Sequence, residues 1–128
     1  MEKQFVTYEI ALALKELGFD EECLAYYAKP TTKEDIELFF TSGVYGWVKQ
    51  NNTILQKCTT PLWQQAIDWF REKAGYNIYL EYNSFRSWWY TIAIQSPTDI
   101  LATKMGEKSY YKIREQAILK AIELYKNN

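Results

Sequence analysis

The stretch NIYLEYNSFRSWWYTIAIQ, residues 77–95, decides the fold. On its first arm Ile78, Leu80 and Tyr82 alternate with Tyr79 and Glu81. On its second arm Trp88, Tyr90, Ile92 and Ile94 alternate with Trp89, Thr91 and Ala93. A period of two marks a strand whose two faces meet different surroundings. Asn83 to Ser87 are short and polar and connect the arms, so the stretch is expected to be a β-hairpin that ends before Pro97. Neighbouring strand residues face opposite sides, so Trp88 and Trp89 must part company. Trp88 goes with Tyr90 and Ile92 and is expected to pack under helices. Trp89 goes with Thr91, Ala93 and Gln95 toward an open or weakly covered side. Tyr79 and Glu81 share that side and Arg86 sits in the turn. Tyr79, Glu81, Arg86 and Trp89 are therefore a candidate binding patch, built from residue types that dominate binding hot spots. The blander arrangement has Trp89 lying over Tyr79 as a cross-strand aromatic pair, or capped by a loop such as residues 98–106.

Helices flank the hairpin. In TYEIALALKELGF, Thr7 is a candidate N-cap and Glu9 suits the first turn. Ile10, Ala13, Leu14 and Leu17 recur at helical spacing, and Gly18 supplies the left-handed position that ends many helices. Phe5 and Val6 are placed to fold back on it as an apolar staple. In TTPLWQQAIDWFREKAGY, Thr60 reads as N-cap, Pro61 as the first helical residue and Gly75 as the stop. Trp63, Ala66, Ile67 and Phe70 form the stripe of that helix, with Leu62 and Trp69 on its flank. Arg71 and Lys73 in its last turn are candidates to hold a phosphate, although cations at a helix end need no ligand to explain them. A third helix is expected from about Ser109, with Tyr110, Ile113, Ala117, Ile118, Ala121, Ile122 and Tyr125 on one face.

Between the first two helices the pattern is weaker. CLAYYAKP, residues 23–30, is aromatic and stopped by Pro30, which favours a strand. In TTKEDIELFF, Thr32, Glu34 and Asp35 would suit a helical turn, but the alternation of Ile36, Leu38 and Phe40 favours a strand. Val44–Lys49 and Thr53–Lys57 read as short strands about an Asn-Asn turn. The order helix–strands–helix–hairpin–helix implies an α+β fold, three helices packed on an antiparallel sheet in a single domain over residues 1–128.

Composition narrows the function. With 128 residues, one core can be buried without staples. The chain holds 11 Tyr, 6 Phe and 5 Trp, residues that suit a small core and also an adhesive surface. A formal charge of −1 offers no general attraction to nucleic acid or membrane, although acidic residues dominate before position 60 and basic ones after it. No apolar run is long enough to span a bilayer, and the N-terminus lacks signal-peptide character, so a cytoplasmic protein is expected. Cys23 and Cys58 match no metal or redox spacing. Histidine is absent, which removes Ser-His-Asp and Cys-His nucleophiles and most catalytic zinc sites. The glycine-rich phosphate cradles are absent too. Glu16, Asp20, Glu21 and Glu22 lack the spacing of a cation loop. Tyr27, Tyr45 and Trp47 would make a second aromatic cluster, of the kind found in cores.

Three segments together carry a resemblance: residues 5–27, with the LGFDE turn; residues 60–82, with PLWQQAIDWFREK; and residues 114–126, with AILKAIEL. They are similar to a group of small uncharacterised proteins of bacteriophages, prophages and mobile elements of Bacteroidetes. The resemblance covers roughly half the chain and carries no catalytic residue. It implies a setting in which small proteins act by binding host machinery, as anti-CRISPR proteins do. The expectation is a non-enzymatic protein that docks on a host protein or protein–RNA complex in the bacterial cytoplasm and inhibits it, with no cofactor, no metal and no membrane partner. The alternatives are a small-ligand or nucleotide-binding module and a virion accessory protein.

Overall fold

The computed structural model describes residues 2–29, 35–40, 58–94 and 99–127. The strands expected at Val44–Lys49 and Thr53–Lys57, with Tyr45 and Trp47, lie outside them. Among the described residues the chain is α+β: a short 3-10 helix at Glu2–Gln4, helices α1 (Tyr8–Glu16), α2 (Trp63–Ala74) and α3 (Tyr110–Lys126), and strands β1 (Ala25–Ala28), β2 (Glu37–Phe40), β3 (Cys58–Thr60), β4 (Tyr76–Tyr82), β5 (Trp88–Ile94) and β6 (Ile100–Glu107). The strands form two three-stranded antiparallel sheets, ordered β2-β1-β3 and β4-β5-β6, and not the single sheet expected. The chain divides into two compact units, residues 1–64 and 65–128, each holding one sheet.

In the first unit, Thr7 Oγ1 accepts from the N–H of Ile10 at 3.4 Å and caps α1, and Gly18 ends it with φ +100°. Its buried face is Ile10, Ala11 and Leu14, whereas Ala13 and Leu17 are half-buried. Phe5 and Val6 are buried as a staple would be, but they also pair with the segment after β3. Phe5 bridges Leu62, and the N–H of Val6 donates to Pro61 O at 3.1 Å. The Val6 carbonyl accepts from the hydroxyls of Tyr27 at 2.8 Å and Thr60 at 3.0 Å. Thr60 is therefore a strand residue and not the cap of α2, which begins three positions later. Its place in β3, where Ala25 lies opposite it, outweighs its local capping preference. Across β1 and β2, Tyr26 faces Phe39 and their rings stack at 5.5 Å.

In the second unit, Ala66, Ile67, Trp69 and Phe70 of α2 are buried, and Gly75 stops the helix with φ +71°. Phe70 stacks on Tyr76 at 6.3 Å, and Trp69 meets Tyr125 of α3 at 5.5 Å. The hairpin is as expected, with Tyr82 opposite Trp88 and Ile78 opposite Ile92. Its inward face, Tyr76, Ile78, Tyr90 and Ile92, is buried; α3 contacts β4, β5 and β6. Residues 100–107, expected within a loop, are instead a third strand with bulged pairing to β5. That strand is exposed over most of its length, so its sequence carries no inside–outside alternation to read.

Cys23 and Cys58 are buried and not joined in a disulfide. Burial pushes the Cys23 thiol up from an ordinary value of 9.0 to about 12. The unfolded chain thus gives up this proton at lower pH than the folded one. The stability contribution is complete below pH 9 and is lost as pH rises through the interval to about 12. Urea unfolding at a series of alkaline pH values is expected to show stability falling by up to about 1.4 kcal/mol per pH unit from this group. Cys23→Ala is expected to flatten that slope, and the native thiol is expected to resist alkylation until the chain unfolds.

Candidate functional site

The loop Asn83–Ser87 closes on the side chain of Asn83. Its Oδ1 accepts from the N–H of Phe85 at 3.0 Å, the N–H of Ser87 at 3.2 Å and the Ser87 hydroxyl at 3.2 Å. The Arg86 N–H donates to Asn83 O at 3.2 Å, and Arg86 takes φ +60°, the one non-glycine residue described there. This is a position that glycine fills without steric cost. The tip it creates holds Phe85 at 87% exposure.

From the tip an aromatic row runs along the inward side of the sheet end. Tyr82 meets Trp88 at 5.3 Å between ring centroids, Trp88 meets Tyr110 at 4.8 Å, and Tyr110 meets Tyr111 at 5.8 Å. Tyr82 and Tyr111 are 56% and 50% exposed. Arg114, one helical turn beyond the tyrosines, is buried and holds its guanidinium 5.3 Å from each of their ring centroids. The entry into α3 is fixed by Glu107, which lies opposite Trp88 in the sheet. Its Oε1 accepts from the N–H groups of Lys108 at 3.1 Å and Ser109 at 3.3 Å, and its Oε2 from Gln116 Nε2 at 3.3 Å. The hydrogen bond from Ser109 is the main reason the Glu107 carboxyl stays below the usual carboxylate range. Ser109 Oγ in turn accepts from the N–H of Lys112 at 3.3 Å, as its expected capping role requires. The β6–α3 junction therefore presents Tyr110 to Trp88 from a hydrogen-bonded base.

The patch expected on the hairpin divides. Tyr79 and Glu81 are exposed on the outward face, with Glu81 opposite Trp89 and Thr91 opposite Tyr79. Trp89 is half-buried, and its indole N–H is buried without a hydrogen-bond partner among the described residues. Arg86 sits at the tip, beside the aromatic row. Arg71 and Lys73 are exposed in the last turn of α2, and Arg71 lies 3.6 Å from Asp68. Sequence reading missed Tyr82, Phe85, Tyr111, Arg114 and Glu107 as a surface. The signal that could have found them is the spacing of Tyr110 and Tyr111 to Arg114 at i+4 and i+3, after a hairpin whose last inward pair is aromatic. Among the described residues, no group of His, Cys, Asp or Glu is placed to hold a metal ion, and no helix is long and apolar enough to cross a membrane. No family model, curated protein or solved structure matches this chain.

Replacing Arg86 by glycine relieves a left-handed conformation that costs an L-residue about 1–2 kcal/mol, against an entropic cost of about 0.5–1 kcal/mol. Urea unfolding of Arg86→Gly is expected to show a small gain, of the order of 0.5–1 kcal/mol. A loss would mean that the Arg86 side chain stabilises the fold.

Proposed function

We propose that this chain is a non-enzymatic binding protein of a mobile element, which docks on a host protein or protein–RNA complex in the bacterial cytoplasm and blocks it. The observation that carries this reading is the row from Phe85 through Tyr82, Trp88 and Tyr110 to Tyr111, a contiguous aromatic surface left accessible at one end of a sheet. Large exposed rings grouped together are unusual on a protein that has nothing to bind, and Trp, Tyr and Arg are the side chains from which binding energy is most often drawn. The surface is also held in shape before any partner arrives. Asn83 fixes the tip, Glu107 fixes the helix entry and Arg114 lies against both tyrosines, so little ordering entropy opposes docking.

The titratable groups support the same reading. The raised thiol of Cys23 disfavours the nucleophilic thiolate, and the lowered carboxyl of Glu107 makes a weak base. Neither is joined to a second group in the manner of a nucleophile and its base.

The test is capture of the partner from the natural host with the full chain, followed by titration of the purified partner. Phe85→Ala with Tyr111→Ala is expected to weaken binding at least about tenfold, since hot-spot truncations cost about 2 kcal/mol or more. Leu119→Ser, exposed elsewhere on α3, is expected to leave binding unchanged. Equal affinity for the double variant and the parent would remove this surface from the reading.

A further inference from the structure

We infer that the aromatic row is a platform for single-stranded nucleic acid, so that within the function proposed above the contacted component is an unpaired RNA or DNA segment. The inference rests on that reading of the surface and adds the chemistry of the ligand.

The first ground is how the rings are set. Successive rings are inclined by 58°, 64° and 71°, so they meet edge to face and do not use their faces on one another. Arg114 lies over Tyr110 and Tyr111 on one side, and both rings remain exposed. Ring faces open to solvent at steps of 4.8–5.8 Å suit bases that have left a duplex, because every base presents a π-face and stacking needs no particular sequence.

The second ground is charge. Arg86 at the tip, Lys108 before α3 and Lys112 in its first turn are all exposed, and among the described residues none has a carboxylate within salt-bridge distance. The acid nearest them in sequence, Glu107, has both oxygens engaged by N–H groups. The row is thus bordered by cations without matching anions, whereas the whole chain is slightly acidic. A polyanion with planar groups complements that combination; a protein rim of mixed sign does so less well. A duplex fits poorly, since its bases are already stacked on each other and α3 offers no continuous basic face, with Glu115, Leu119 and Glu123 interleaved among its lysines.

The experiment is fluorescence anisotropy with end-labelled, mixed-sequence single-stranded RNA, the same sequence as single-stranded DNA, and its duplex, titrated with the full chain over a range of salt. Both single strands are expected to bind and the duplex to bind at least fivefold more weakly. Three phosphate contacts predict a log–log salt slope of about −2. Tyr82→Ala and Tyr111→Ala are each expected to weaken single-strand binding by about fivefold or more. Arg86→Gln with Lys112→Gln is expected to flatten the slope, and Tyr79→Ala, on the outward face, to change nothing. RNA bound in preference to DNA would assign the ribose hydroxyl a part; equal binding would assign the site to bases and phosphates. No anisotropy change at protein concentrations of about 100 µM, or duplex binding that equals single-strand binding and ignores the tyrosine variants, overturns the inference. If the captured partner still loses affinity with Phe85→Ala and Tyr111→Ala while no oligonucleotide binds, the docking surface stands and its ligand is protein. If neither measurement responds to these variants, both readings fall.

Discussion

The pleat of β5 is the constraint on which the second unit depends. This strand is hydrogen-bonded on both edges, to β4 and to β6, so it cannot shift by one residue without dragging both neighbours. A one-residue slip would also turn Tyr90 and Ile92 away from α3 and bring Trp89 and Thr91 under it. Exposing a side chain the size of Ile92 costs roughly 1.5–3 kcal/mol, and leaving buried hydroxyls without partners adds to that. The register is therefore strongly specified, and with it the side of the sheet on which each aromatic residue emerges. Trp88 is the consequence that matters for function. It points the same way as the core residues but lies at the end of the strand, where α3 meets it with its first residue, and so it stays half-buried between Tyr82 and Tyr110.

Two polar devices hold that end open without letting it fray. Asn83 gathers three donors into the hairpin loop, and Glu107 gathers three donors at the start of α3. Each replaces solvent at backbone groups that neither sheet nor helix satisfies. Because these bonds are made by side chains next to the aromatic row and not within it, the rings themselves carry little of the structural burden. Phe85, nearly free of neighbours, and Arg86, in a backbone conformation better suited to glycine, are residues that folding alone does not call for.

The first unit solves a different problem. Its sheet has short strands, and its N-terminal segment is tied in through one peptide group. Val6 donates to Pro61 and accepts from Tyr27 and Thr60, which joins the start of the chain to β1 and to the end of β3. The buried Thr60 hydroxyl is thereby satisfied, as a polar group at zero exposure must be. The same bond explains why the capping motif at Thr60 is misleading: a threonine hydroxyl serves either a helix N-terminus or a neighbouring strand, and tertiary pairing decides which.

What the sequence by itself determined is periodic and local. The hairpin with its alternation, α1 with Thr7 and Gly18, the stop of α2 at Gly75 and α3 with its cap at Ser109 are all written in residues a few positions apart. Their energetics are settled within a turn or across a tight loop. The tertiary structure decided three things that spacing does not encode: that the strands divide into two sheets, that residues 100–107 pair with β5, and that Tyr82, Trp88, Tyr110 and Tyr111 form one row. The physical reason is common to all three. An exposed edge strand has no contrasting faces to print on the sequence, strand partners far apart in the chain find each other through backbone bonds that are blind to residue type, and a surface drawn from a hairpin and a helix 28 positions apart exists only once the sheet has set the start of that helix beside its last inward pair.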